Sequence, residues 1–181
     1  MATNSKVSLL LLLVAISLVM FPLLAKANDH ELRETKMSLY FQDNSSGGPN
    51  STVLPVVGLP GKLWTFTQFG TIYVIDDPIT KGPDPTSATV GRGQGIFVTA
   101  SLDGLYAHVS FSIVFTNEAY NGSTIQIEGS SKQLEAVREL AVVSGTGKFR
   151  YARGYVTFET YYLDISTSYS VLRCNVTVRH Y

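Results

Sequence analysis

The chain has 181 residues, and its 14 lysines and arginines are balanced by 14 acidic residues. That balance excludes the electrostatic footprint that nucleic acid, an anionic membrane or a polyphosphate would require. The expected partner is a neutral or weakly polar small molecule, or a second copy of the chain.

In chain order, the first element is a leader. Lys6 precedes an apolar run that continues to Leu24 and ends at Ala25-Lys26-Ala27. A basic flank, a hydrophobic stretch and an A-x-A site describe a secretory signal. The run approaches the length of a bilayer span, but Pro22 and the A-x-A site favour cleavage. Residues 1–27 are therefore expected to leave, and residues 28–181 to form one secreted domain without a membrane attachment, holding 12 basic residues against 14 acidic. N-x-S/T sequons stand at Asn44, Asn50, Asn121 and Asn175, each able to accept a glycan in a secreted chain. Asn50, after Gly47-Gly48-Pro49, suits an exposed loop best; Asn175 suits it least, because it falls in a strand-like run.

The remaining chain shows period-two alternation and almost no helical periodicity. A strand over 36–43 places Leu39, Phe41 and Asp43 on one face. A polar loop spans 44–61, a second strand 62–76, and a second loop 79–86, where Gly82, Pro83 and Pro85 forbid a regular ladder. Strands at 90–101 and 106–118 are joined by a turn at Leu102-Asp103-Gly104, and the latter puts Val109, Phe111, Ile113 and Phe115 on one face. Asn121-Gly122 predicts a tight primed hairpin into 123–128. Residues 131–139 hold helix formers in too short a run for more than a turn. Strands at 137–144, 148–162 and 169–180 complete the set. The first two of these meet at Gly145-Thr146-Gly147, with Arg150 and Arg153 expected to insert guanidinium groups into the interior. Cys174, in the last strand, is the only cysteine, so no intrachain disulfide can form and the thiol reads as buried and inert.

About eight sequential strands predict an all-β, up-and-down antiparallel barrel without exposed sheet edges; an open sandwich is the alternative. A small barrel can hold one ligand among its inward side chains. Apolar residues on both faces of 72–75 imply a second covered surface, most simply a contact between subunits.

Several motifs occur in a fixed order: Tyr40-Phe41-x-Asp43, Phe69-Gly70 followed by Asp76-Asp77-Pro78, Gly91-Arg92-x-Gln94-Gly95, Tyr120-Asn121-Gly122-Ser123-Thr124, Arg138-Glu139, and Gly145-Thr146-Gly147 leading to Ala152-Arg153-Gly154. The ordered set spans 37–181 and resembles a plant dirigent protein, although each motif alone is weak. The resemblance implies a single eight-stranded antiparallel β-barrel of the allene oxide cyclase-like type, secreted, glycosylated and homo-oligomeric as a trimer or a dimer. It implies work without a cofactor or metal. Phenoxy radicals generated by a separate oxidase, a laccase or a peroxidase, are steered to one stereoisomer in phenylpropanoid, lignan or related phenolic biosynthesis. The alternative within the family is a quinone-methide cyclase of the pterocarpan synthase type.

Carried over to this chain, the resemblance assigns Asp43 as an acid that hydrogen-bonds a phenol or moves a proton at a quinone methide. That task needs a carboxyl desolvated enough for its pKa to rise; a strand-end aspartate capping the next loop is the plain alternative. Arg138 matches the family's cavity arginine, whose guanidinium would stabilise a developing phenolate, against an ion pair with Glu135 or Glu139. Thr160 matches a lumen-facing threonine and Phe97 a cavity-lining aromatic, with ordinary strand and core packing as their alternatives. Ser131 departs from the pattern, because lignan-forming members carry an aspartate there and serine is no general acid near neutral pH. The paired cysteines of many lignan-forming members are also absent, so a phenol other than coniferyl alcohol is expected.

Other readings fail on spacing. Gly91-Arg92-Gly93-Gln94-Gly95 lacks the Lys-Ser/Thr of a phosphate loop and reads as glycines at a strand start. His30, His108 and His180 stand too far apart for a metal motif, and no G-x-S-x-G elbow is present. A second function class remains, a defence protein binding carbohydrate or a cell-wall ligand on a similar barrel. Deposition of oriented lignin lies between the two.

Overall fold

The computed structural model describes residues 31–181, together with Val14. The expected leader over 1–27 otherwise lies outside the described residues, as does His30. Nine strands follow in chain order: β1 Arg33–Asn44, β2 Val53–Val57, β3 Ile72–Thr80, β4 Thr89–Thr99, β5 Tyr106–Phe115, β6 Thr124–Lys132, β7 Arg138–Thr146, β8 Arg153–Asp164 and β9 Tyr169–His180. They hydrogen-bond in the order β1-β9-β8-β7-β6-β5-β4-β3-β2, every pair antiparallel, and β1 also pairs with β3 through Tyr40 opposite Thr80 and Phe41 opposite Ile79. Eight strands thus close on themselves, with β2 added beside β3. The expected all-β, eight-stranded antiparallel barrel is the observed one.

Alternation decides what fills it. On β5 the fully buried Ile113 and Phe115 share the inward face with Phe111, as the period-two pattern requires. Ile125 and Ile127 of β6, Val156 of β8 and Cys174 of β9 join them in one core. Burial pushes the Cys174 thiol well above its ordinary pKa, which leaves it unreactive.

One end of the barrel is sealed. After β7 the chain makes a single 3₁₀ turn, Gly147–Phe149, which folds Phe149 inward against Phe115, Tyr120 and His180. Gly145-Thr146-Gly147 is therefore not a hairpin tip; it ends β7 and starts a plug. Burial of such a ring contributes about 2–3 kcal/mol, and it confines the free volume to the opposite end. Tyr120 packs against the same plug, which explains why Asn121-Gly122 closes a longer loop rather than a two-residue hairpin.

Four further expectations change. The segment 44–61 contains β2, whereas 62–71 carries no strand. β3 continues through Asp77 and Pro78 to Thr80, past the expected loop start. Pro78 is tolerated there because it falls between the last β2 partner at Ile75 and the first β1 partner at Ile79, where β3 lacks a second neighbour. Arg150 and Arg153 are exposed rather than inserted. Alternation on β8 turns Val156 and Phe158 inward and Arg153 outward, where its guanidinium donates to the Val143 carbonyl. Gly91, Gly93 and Gly95 lie within β4 rather than at its start. A Cβ on Gly93 would sit 2.3 Å from the Phe41 ring, so the glycine makes room for that aromatic.

Candidate functional site

The open end holds a cavity of about 210 Å³. Its wall is aromatic, with Phe41, Phe66, Phe97, Phe111 and Phe158, and its polar groups are Asp43, Asp77, Ser131, Gln133 and Arg138. Asp43 comes from the last turn of alternation on β1, in phase with Leu39 and Phe41 as the sequence requires. Asp77 comes from β3, in phase with Tyr73, Ile75 and Ile79, one acid on an apolar face.

The two acids face each other because of the barrel seam. Beyond Phe41 and Ile79, β1 and β3 separate, and Thr52 fills the gap. Its backbone N–H donates to the Asn44 carbonyl and its carbonyl accepts from Asp76 N–H, both at 2.8 Å. The Thr52 hydroxyl donates to Asp77 Oδ1 at 2.6 Å. Burial raises the pKa of Asp77 above the ordinary carboxylate range, and the Asp43 charge raises it further; the Thr52 hydrogen bond opposes this without winning. Burial also raises Asp43. Desolvation and mutual repulsion oppose ionisation of both carboxyls together, so the pair retains a proton to a higher pH than free aspartates would. Asp43 is thus an acid of the lumen and not merely a loop cap.

Arg138, the first residue of β7, is half-buried. It makes no ion pair with Glu135 or Glu139 among the described residues. Instead Nη1 donates to the Gln133 carbonyl at 3.3 Å and to the Glu135 carbonyl at 3.5 Å, and both Nη atoms reach Thr160 Oγ1 at 3.3 Å. Burial lowers its pKa, yet a guanidinium stays charged. Its neutral partners leave its charge uncompensated toward the lumen. Thr160 itself is exposed at the rim, outside the cavity lining, and reaches the site through Arg138. Phe97 and Ser131 both line the cavity, the latter as a neutral hydroxyl.

Comparison with known proteins agrees with this geometry. Residues 34–179 match the model of the family described as dirigent-like protein. The chain belongs to the dirigent family. It is 39% identical over 140 residues to dirigent protein 1 of Arabidopsis thaliana, covering 76% of each chain. It is 35% identical over 148 residues to pterocarpan synthase 1 of Glycine max, covering 81% of this chain and 79% of that one. The solved structure of a pterocarpan synthase dirigent protein superposes with a TM-score of 0.76 at 34% identity, covering 83% of this chain and 87% of its own.

In this dirigent barrel, sequence reasoning missed Asp77, Phe66, Gln133 and Thr52. Asp77 was legible: Tyr73, Ile75, Asp77 and Ile79 share one face once the strand is allowed to run through Pro78. Thr52 and Gln133 lie in segments without alternation, and Phe66 lies where alternation predicted a strand that does not form, so no local pattern marks them as lumen residues.

Proposed function

We propose that this dirigent protein takes one phenolic intermediate into its lumen and directs ring closure on a quinone methide to a single stereoisomer. The observation that carries the reading is the pair of buried carboxyls, Asp43 and Asp77, in the same apolar cavity as the Arg138 guanidinium. The protonated carboxyl gives its proton to a departing hydroxyl of the guest, which leaves as water. The phenolic O–H proton passes to the ionised carboxyl, and the resulting quinone-methide oxygen accepts hydrogen bonds from Arg138. An internal hydroxyl then attacks the methide carbon and returns its proton to the pair. The phenolate formed on closure is held by Arg138 until a carboxyl reprotonates it, so the net change is loss of one water. Stereoselectivity comes from the aromatic wall, which admits attack on one face.

A second reading has the same lumen steer phenoxy radicals supplied by a separate laccase or peroxidase. Membership of the family and the Arabidopsis relatives support it. Volume favours the first: a cavity of ~150 Å³ holds one benzene ring, so about 210 Å³ suits one guest ring with its substituents. Coupling would need the second radical to approach from outside.

The test is incubation with a racemic 2-(1-hydroxyalkyl)phenol bearing a pendant hydroxyl, followed by chiral chromatography. Faster dehydration and one dominant enantiomer of the cyclic ether are expected; racemic product at the uncatalysed rate overturns the reading. Oxidase-driven coupling of monolignols, run in parallel, tests the second.

The protein is further taken to act outside the cell as a glycosylated homo-oligomer. Support for association comes from Leu54 of β2, Val74 of β3 and Ile96 of β4. They stand opposite one another across three strands and are exposed on the outer face. An apolar cross-strand row of this kind is what a second copy would cover.

A further inference from the structure

Residues 58–71, between β2 and β3, form no strand, yet they cross the open end of the barrel. Phe66 on this segment lines the cavity, its ring nearly parallel to Tyr73 at 4.7 Å and to Phe97 at 5.9 Å between centroids. The segment is held unequally on its two sides. Toward β3 and β4 it is continuous with the barrel: Gly70 N–H donates to the Thr99 carbonyl, Thr99 Oγ1 to the Phe66 carbonyl at 2.8 Å, and Tyr73 Oη to the Trp64 carbonyl at 3.1 Å. Across the mouth it is held by Gln133, whose Nε2 donates to the Phe66 carbonyl at 2.7 Å and to the Gly104 carbonyl at 3.2 Å. Gly104 itself sits so close that a Cβ there would meet the Thr67 carbonyl oxygen at 2.0 Å.

We infer that Phe66 is a specificity-determining wall carried on a hinged strap, and that Gln133 is the latch that sets its closed position. The inference rests on the reading of the lumen as the site of an aromatic guest. The Phe66 carbonyl has two donors, so rotation of the Gln133 amide frees the far side while Thr99 keeps that oxygen satisfied. Such a strap opens without leaving the Phe66 carbonyl unpaired. The latch also touches the chemistry: the carbonyl of Gln133 accepts from Arg138 while its side chain holds the strap, so one residue sets both the guanidinium and the roof. A flat guest ring extends the parallel set of Phe66, Tyr73 and Phe97. A branched phenol would have to displace Phe66.

Trp64, the single tryptophan of the chain, sits on the strap and half-exposed, so its fluorescence reports strap position directly. The experiment measures binding of 2-naphthol and of 4-tert-butylphenol by calorimetry to wild type, Phe66→Leu, Phe66→Tyr and Gln133→Met, with Trp64 emission recorded for each. Wild type is expected to prefer 2-naphthol by roughly tenfold. Phe66→Leu should lose that preference, Phe66→Tyr should keep it, and Gln133→Met should red-shift Trp64 emission in the free protein and weaken both phenols. An unchanged preference in Phe66→Leu, with binding intact, overturns the specificity role. Unaltered Trp64 emission in Gln133→Met overturns the latch. Failure of wild type to bind either phenol overturns the aromatic-guest reading of the lumen itself.

Discussion

The Thr52 hydroxyl donates to Asp77 at 2.6 Å, joining the residue that precedes the short strand β2 to an acid 25 positions later in the chain. The same residue plugs the gap where β1 and β3 part. One residue therefore bridges β1 and β3 through its backbone and, through its hydroxyl, orients one lumen acid and opposes the rise that burial imposes on its pKa.

The pH dependence of stability follows from the sign of these shifts. Both lumen carboxyls have folded pKa values raised above their unfolded ones, so the folded state binds their protons more tightly. Their contribution is fully present below about pH 4 and is lost as the pH rises through the folded values. Asp77→Asn keeps an acceptor for Thr52 but removes the buried charge. It should stabilise the protein at about pH 8 by roughly 1–3 kcal/mol while changing little at about pH 4. Thermal melts across that range check this. A stability difference independent of pH would contradict the assignment of Asp77 as a desolvated acid.

Arg138 and Thr160 should separate in kinetics. Arg138→Leu removes the donors to the developing oxyanion and should lower kcat by ~100–1000-fold. Thr160→Val removes only the acceptor that orients Arg138, so a loss of about tenfold is expected, as for one hydrogen bond. Equal losses from both substitutions would place Thr160 on the guest rather than on Arg138.

Oligomerisation is testable on the outer face. Val74 is central to the row with Leu54 and Ile96, and Val74→Glu buries a charge if a second copy covers it. Sedimentation velocity should then show the variant as a monomer with its melting temperature little changed. Retention of the wild-type assembly would assign the contact to another face.

Glycan occupancy should follow backbone placement. Asn50 and Asn121 stand exposed in loops, whereas Asn175 is half-buried within β9, and Asn44, at the end of β1, is hydrogen-bonded to Ser46 and Asn50. Peptide mapping after deglycosylation in heavy water should mark Asn50 and Asn121. Marking of Asn175 instead would mean that the glycan is added before that strand pairs.

What the sequence by itself determined is the local half of this protein. Period-two alternation gave the strands, the inward row Val109-Phe111-Ile113-Phe115 and the phase that carries Asp43 inward, because side-chain direction along a strand is fixed by its immediate neighbours. It misplaced Arg153 only where the start of β8 was read five residues early, at the turn that carries Phe149. The adjacent Asp76 and Asp77 show what only the tertiary structure decided. Asp76 faces outward, where hydrogen bonding to Arg92 of β4 holds its carboxyl below the usual range; Asp77 faces Asp43 across the seam and is raised. Whether an acid meets a guanidinium, a second acid or water depends on which distant strands the closing barrel sets beside it. That is a long-range choice, and no window of neighbouring residues encodes it.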